Sequence, residues 1–314
     1  MNSPSLEDTW PSLPFEHTHD TCATVHMWTQ IVGKIRLAKS PWTNHSWHVT
    51  LYVTARGLTT GPIPYGHRTF QIDFDFIVHQ LAIKSSDGAT AHLPLAAESV
   101  ATFYGRLMGE LDRMNLHVDI HCKPNEVPAP VRFDEDDAPR AYNPDYANRF
   151  WRVLLQVDRV FKTFRARFIG KCSPVHFFWG AADLAVTRFS GRSAPKHPGG
   201  IPNLPDWVTQ EAYSHEVSSC GFWAGGEPIP YAAFYSYAYP EPAGFAASPV
   251  APAGTFYSNE LREFILPYDV VRQAASPDHP LLQFLQTTYE AAANCGAWER
   301  NALERRDACG KAPK

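Results

Sequence analysis

Two stretches of this chain read as copies of each other, and a duplicated unit leaves few ways to fold. Ile31-Val32-Gly33-Lys34 closes a helix-like segment before Ser40-Pro41, and Phe168-Ile169-Gly170-Lys171 precedes Ser173-Pro174 in the same way. The pairs Ser40/Ser173, Pro41/Pro174, Val53/Val186, Thr54/Thr187 and Pro62/Pro195 all stand 133 residues apart. Ordinary residue frequencies give about one or two such identities in a window of that length. The Gly-Lys pairs are 137 apart, so the first copy carries extra residues before its Ser-Pro. Duplication predicts two similar halves about a pseudo-twofold axis, with a seam where a ligand can sit.

Each half shows the same order of patterns. In the first, Val25, Trp28, Val32 and Ile35 recur at helical spacing and predict a helix from about Asp20 to Ala38. Trp47 to Ala55 is rich in β-formers and predicts a strand ended by Gly57 and Pro62. Phe70, Ile72, Phe74 and Phe76 alternate with polar residues, and His79 to Ser85 would return as the hairpin partner. Val100, Phe103, Leu107 and Leu111 mark an amphipathic helix, followed by a short strand over Leu116 to His121. In the second half Asn143-Pro144 is a helix start, and Phe150, Leu154, Val157, Phe161 and Phe164 carry the apolar face. Strands are predicted at about 175–179, 183–189, 213–222 and 231–239, then a last helix from Ser276-Pro277 to Gly296. The expected fold is therefore α+β, with two pseudo-symmetric halves of helix, antiparallel strands and helix. The halves span 10–123 and 140–305, packed as one unit, with the acidic, proline-rich 124–139 as connector and 306–314 as a frayed tail.

Composition narrows the function classes. With 44% hydrophobic and 19% charged residues, 314 residues are enough for a large buried core. A net charge of −4 offers no attraction to nucleic acid or an anionic membrane, and no apolar run approaches bilayer length. The N-terminus lacks the basic and apolar regions of a secretory signal. Six scattered cysteines form no Cys-x-x-Cys pair and suit a cytoplasmic protein with reduced thiols. Gly-x-Gly-x-x-Gly, a full phosphate loop, Gly-x-Ser-x-Gly and the paired-histidine protease motif are all absent, so no dinucleotide cofactor is expected.

What remains is a set of looser constellations. Arg165 through Gly180 crowds cations at a helix end and continues into Cys172, His176 and Trp179. Cationic neighbours would lower the Cys172 thiol, with His176 as its base, although basic residues also favour a helix C-terminus on dipole grounds alone. Tyr213-Ser214-His215-Glu216-Val217 places His215 and Glu216 on opposite strand faces. His176, Asp183 and His215 would form a mixed nitrogen–oxygen set suited to a divalent transition metal. His45 and His48, on an extended segment, would face opposite ways and are not expected to share one. Tyr235 and Tyr237 lie on one strand face as a wall for an organic ligand, or as core packing. Arg56, Lys171 and Arg188 are candidates for gripping an anion at the seam.

The segments Trp28 to Arg36, Leu51 to Thr60, Arg165 to Gly180, Tyr213 to Val217 and Phe234 to Tyr237 resemble a bacterial family known only as a domain of unknown function. The resemblance runs from about Trp10 to about Arg305 and implies a bacterial cytosolic protein of one full-length domain; it brings no activity or cofactor with it. The residues themselves point to a protein that binds a small polar or anionic organic molecule between its halves. Chemistry of hydrolase or lyase type is expected there, with His176, His215, Glu216 and Cys172 as the reacting groups. The alternative is a non-catalytic ligand sensor or a protein-interaction module with an aromatic surface. Oligomeric state is not legible.

Overall fold

The apolar stripe of the first helical segment is wider than one face, and the helix it makes sits in the middle of the molecule. The computed structural model describes residues 9–305; the tail 306–314 and the residues ahead of Thr9 lie outside the described residues. Helix α1 (Phe15–Lys39) begins where Pro14 cannot continue a helix backwards, five residues before Asp20. Thr29 to Ile35 are buried in unbroken succession, so this stretch is enclosed on every side. Trp28 stacks on Phe103 at 4.9 Å between centroids and meets Tyr142 at 5.1 Å.

The first sheet contains β1 (Tyr52–Val53), β2 (Gly57–Thr59), β3 (Ile63–Tyr65), β4 (Arg68–Asp75), β5 (Gln80–Ser85) and β6 (Thr90–Pro94). Its order is β1-β2-β4-β5-β6, with β3 continuing along the β2 edge of β4. Phe70, Ile72 and Phe74 face the core, while Asp73 turns outward to Thr59, Gln71 and Lys84. Helix α2 (Val100–Arg113) packs against β6 and α1, and the Ser99 hydroxyl caps it by accepting the Thr102 N–H.

The second half opens with α3 (Pro144–Ala166), where the Asn143 side chain accepts the N–H groups of Asp145 and Tyr146. Its sheet contains β7 (His176–Phe178), β8 (Asp183–Ser193), β9 (His215–Trp223), β10 (Ala233–Tyr239), β11 (Phe256–Ser258) and β12 (Glu263–Pro267), in the order β11-β12-β10-β9-β8-β7. Between β8 and β9 lies α4 (Asp206–Ala212); α5 (Tyr268–Arg272), α6 (Asp278–Cys295) and α7 (Arg300–Leu303) follow β12. Leu184, Val186, Cys220, Phe222, Phe234 and Leu266 form the buried face, covered by α3 and α6. The opposite face carries Asp183, Ala185, Thr187, Ser219, Gly221, Tyr235 and Tyr237 by strand register.

The two sheets meet edge to edge. Leu51, just ahead of β1, and Phe177 in β7 exchange both backbone hydrogen bonds, at 2.9 and 2.8 Å. One continuous hydrophobic cluster runs from Trp10 to Trp298 and draws on both halves.

The fold is α+β with two antiparallel sheets, and each half follows the order helix, strands, helix. The residues 133 apart do not, however, occupy matching places. Val53 ends the two-residue β1, whereas Val186 is in the middle of the eleven-residue β8. Other details also differ from the pattern reading. Residues 44–46 form a 3-10 turn with His45 in a left-handed conformation, so the strand expected from Trp47 shrinks to β1. Leu116 to His121 is irregular, and α4, β11 and β12 had no distinct signal in the sequence.

Gly33 shows how closely the halves approach. A Cβ there would lie 2.1 Å from the Trp179 ring, which cannot retreat because its Nε1–H donates to the Val49 carbonyl at 2.8 Å. Gly33→Ala should therefore cost about 1–3 kcal/mol, the usual range for overpacking. Urea denaturation measures this; an unchanged midpoint would show that the ring is not held.

Candidate functional site

The open face of the second sheet is polar where its other face is apolar, and glycine decides its shape. A Cβ on Gly221 would fall 2.3 Å from the Tyr235 ring. Without one, Tyr235 lies across β9 and donates its hydroxyl proton to Asp183 Oδ2 at the start of β8. Tyr237 stacks beside it at 6.1 Å, and its hydroxyl meets that of Tyr213 at 2.7 Å. Below them Thr187 Oγ1 and Ser219 Oγ are 2.9 Å apart. Glu263, one position past the Ser236–Phe264 pair of β10 and β12, lies on the same face.

The connector supplies the third carboxyl group. Asn125 is pinned from several directions: its N–H donates to Gln30 Oε1 at 3.1 Å, its side-chain amide to the Asn203 carbonyl at 2.5 Å, and Lys34 donates to its Oδ1. Gln30 donates in turn to the Asn125 carbonyl at 2.7 Å. The next residue, Glu126, donates its N–H to the Pro202 carbonyl at 2.8 Å and extends its side chain over Gly180. A Cβ on Gly180 would meet Glu126 Oε1 at 1.9 Å, so this glycine leaves room for the carboxylate. His26 on α1 braces the same turn by donating to the Gly180 carbonyl at 2.8 Å.

The result is one cluster of carboxyl and tyrosine groups at the end of the open face. Glu126 is exposed and Tyr213, Tyr235, Tyr237 and Glu263 are half-buried above the buried Asp183, so the group forms a candidate cleft wall. Burial, then the negative charge of Asp183, pushes Glu126 and Glu263 up to about 7. Burial pushes Asp183 itself up to about 6, against the stabilising Tyr235 hydrogen bond. The Tyr213 hydroxyl rises to about 12 by burial, and Tyr235 and Tyr237 rise well above the ordinary phenol. Among the described residues no cationic group acts on any of the three carboxyls. Near neutrality they hold protons that ordinary carboxyls have lost, which equips the cleft for acid–base chemistry.

The structure separates most of the residues selected from sequence. Among them, Asp183, Tyr235 and Tyr237 come together, and His176 lies on the same face opposite Ala185. His176 is fully buried, however, and burial with the charges of Arg36 and Arg165 pulls it down to about 3. The metal set does not form. His215 pairs with Ser193 at the far end of β8 from Asp183, about 30 Å away at ~3.3 Å per residue. Among the described residues no three His, Cys, Asp or Glu side chains are placed to hold a metal. Cys172 is pushed up to about 11, because burial outweighs the nearby arginines that were expected to lower it.

Nor do the basic residues share a pocket. Arg56 binds Asp75 at 2.5 Å on the first sheet. Arg188 points into the core and lies over the Phe164 ring at 3.5 Å, where its side chain donates to the Phe164 carbonyl. Lys171 donates to His45 Nε2 at 2.5 Å and sits over Phe189. Glu216 is tied to Arg192 at 2.6 Å, and Trp179 is the wall against Gly33. Arg56 and Lys171 lie outside the strands, and alternation along β8 turns Arg188 to the face opposite Asp183.

Glu126, Glu263 and Tyr213 were not singled out as site residues. Glu126 lay in what read as an acidic linker, and Glu263 in a strand without a strong pattern. The usable signal was glycine: Gly180 and Gly221 interrupt apolar or β-rich stretches where another group must approach closely.

The architecture and the cleft define this chain as a two-sheet α+β protein with a carboxyl- and tyrosine-lined site. The chain belongs to a family of unknown function, DUF5996, whose model matches residues 10–305. Comparison with curated proteins and with solved structures found no match to either.

A carboxyl whose folded pKa is raised binds protons that the unfolded chain has released. Stability is therefore greatest below the unfolded value and falls as pH rises through the folded one. For Asp183, only 8% exposed, the window runs from 3.8 to about 6, with a loss on the order of 3 kcal/mol. Asp183→Asn keeps an acceptor for Tyr235 and should flatten this fall, which chemical denaturation at pH 4, 6 and 8 measures. An unchanged slope would show that Asp183 ionises as it does in the unfolded chain.

Proposed function

We propose that the cleft binds a small polar organic molecule and transfers protons to or from it, in a reaction of hydrolase or lyase type. The observation that carries this reading is the Asp183–Tyr235 pair flanked by Glu126 and Glu263, with no cation among the described residues to neutralise them. A protonated Glu126 or Glu263 serves as general acid and an ionised Asp183 as general base, oriented by the Tyr235 hydroxyl. Tyr213 and Tyr237 offer hydroxyls and ring faces to the ligand. This surplus of negative charge favours a neutral or cationic molecule bearing hydroxyl or amino groups over an anion.

First-half residues, through α1 and the connector, bring Glu126 against the second sheet, which supports a site where the two halves meet. Cys22, Cys122, Cys172, Cys220 and Cys295 are free, which supports a reducing, cytoplasmic setting. A ligand sensor would use the same cleft without turnover. The interaction-module reading has less support, since Tyr235 and Tyr237 turn into the cleft instead of forming an outer patch.

Thermal shift against a matched series distinguishes ligand classes: a small polyol, its amino analogue and its carboxylate. The first two should stabilise the protein, by about 2.7 kcal/mol at a hundredfold excess over Kd. Asp183→Asn with Glu126→Gln should abolish that stabilisation. Preferential stabilisation by the carboxylate, retained in the double variant, would contradict the reading.

A further inference from the structure

Toward the far end of the second sheet, a lysine and a histidine that the cleft does not use meet nitrogen to nitrogen. Lys171 is fixed beside β8, where its carbonyl accepts the Phe189 N–H at 3.0 Å. Its Nζ lies 2.5 Å from His45 Nε2, 4.8 Å from the centre of the Phe189 ring and 5.7 Å from that of Trp47. His45 reaches it from a strained turn. Both His45 and Ser46 are left-handed, at φ 59° and 58°, a costly conformation for residues other than glycine and one that collects at functional sites. His45 Nδ1 donates to the Ala212 carbonyl at 2.9 Å, since a carbonyl only accepts. That leaves Nε2 as the basic nitrogen, and it faces Lys171.

Protonating both partners would set two cations 2.5 Å apart, so the contact carries a single charge. Burial pulls Lys171 below the ordinary lysine range, and among the described residues no carboxylate pairs with it. Burial also pulls His45 down, opposed by its bond to Ala212; the Lys171 and His215 charges lower it further, and Glu211 opposes them. The His215 ring is 6.2 Å from that of His45. Glu211 is spent on other donors: the His45 backbone N–H at 3.2 Å and the Trp42 indole at 2.8 and 3.0 Å. A lysine with a purely structural role would be better served by an ion pair with that carboxylate. Instead an exposed amine is backed by an imidazole only 5% exposed, so solutes reach the amine while the base behind it stays dry.

We infer that Lys171 is a carbonyl-reactive amine, which condenses with a small aldehyde or ketone while His45 carries the proton. The Lys171 ammonium first passes a proton to His45 Nε2. The free amine attacks the carbonyl carbon, and a nitrogen–carbon bond forms as the carbonyl oxygen takes that proton. A second proton then moves from the nitrogen through His45 to the same oxygen, the carbon–oxygen bond breaks and water leaves. The product is a protonated Schiff base, which keeps the charge of the starting ammonium. Trp47 and Phe189 border the amine with apolar ring faces suited to the substituents of an uncharged carbonyl compound. Phe189 is six residues along β8 from Asp183, about 20 Å at ~3.3 Å per residue, so this site is separate from the carboxyl cleft.

Propanal with sodium cyanoborohydride tests it on the intact chain, because reduction traps the Schiff base as propyl-lysine and peptide mass spectrometry ranks the lysines. At pH 7, Lys171 should be alkylated about tenfold faster than Lys84, Lys123, Lys162 and Lys196, which are also exposed. Its rate should level off at a lower pH than theirs. His45→Gln should slow Lys171 to the rate of the other four. In case this variant does not fold, the pH profile of the parent chain decides. Even labelling of the five lysines, or a Lys171 profile that matches the others, would overturn the inference. Fast labelling that persists in folded His45→Gln means exposure alone and overturns it too.

Discussion

Two backbone hydrogen bonds between Leu51 and Phe177 set the geometry on which the rest depends. Each of the two sheets ends in a short edge strand, and an unpaired edge is both a polar cost and a template for unwanted pairing. Joining β1 to β7 at this point covers both edges with one contact. It also brings the enclosed part of α1 against Trp179 so closely that only glycine fits at position 33. From that position α1 reaches Asn125 through Gln30 and Lys34, and the connector is drawn over the second sheet. Glu126 arrives opposite Asp183 because the joint carries it there, not because the two are near in sequence.

The second sheet is correspondingly asymmetric. Its inner face obeys ordinary burial, with Leu184, Val186, Phe222 and Phe234 under α3 and α6. Its outer face gathers three carboxyls in a setting that disfavours their charge. A fold selected for stability alone would replace Asp183, or supply a lysine. Retaining like charges at a loss in stability is typical of sites whose groups must exchange protons near neutral pH.

Much of the scaffold was legible in the sequence, and the site only in part. Helical spacing of Trp28, Val32 and Ile35, the Phe70–Ile72–Phe74 alternation and the Asn143-Pro144 start are local signals, and each element formed near its expected place. Asp183, named from the sequence as a metal ligand, and Tyr235 and Tyr237, named as a ligand wall, do lie on one sheet face, because strand alternation is a local signal. The rest depended on tertiary facts. Whether Arg188 faces a ligand or the core turns on a single residue of register. The distance between Asp183 and His215 follows from the full length of β8, which no motif discloses. Cys172 had cationic neighbours as expected, but burial is the larger effect on its thiol. Glu126 comes near Asp183 only once the 195–205 loop and α1 have fixed the connector, and a linker-like composition conceals that.

Glu126 and Glu263 each feel the charge of Asp183, in surroundings that disfavour ionisation of all three. Side-chain carboxyl carbon-13 titration by NMR tests it most directly, in the parent chain and in Asp183→Asn. Glu126 and Glu263 should titrate at about 7 and Asp183 at about 6, and both glutamates should move down when the Asp183 charge is removed. Three independent titrations near 4, unaffected by that substitution, would contradict it.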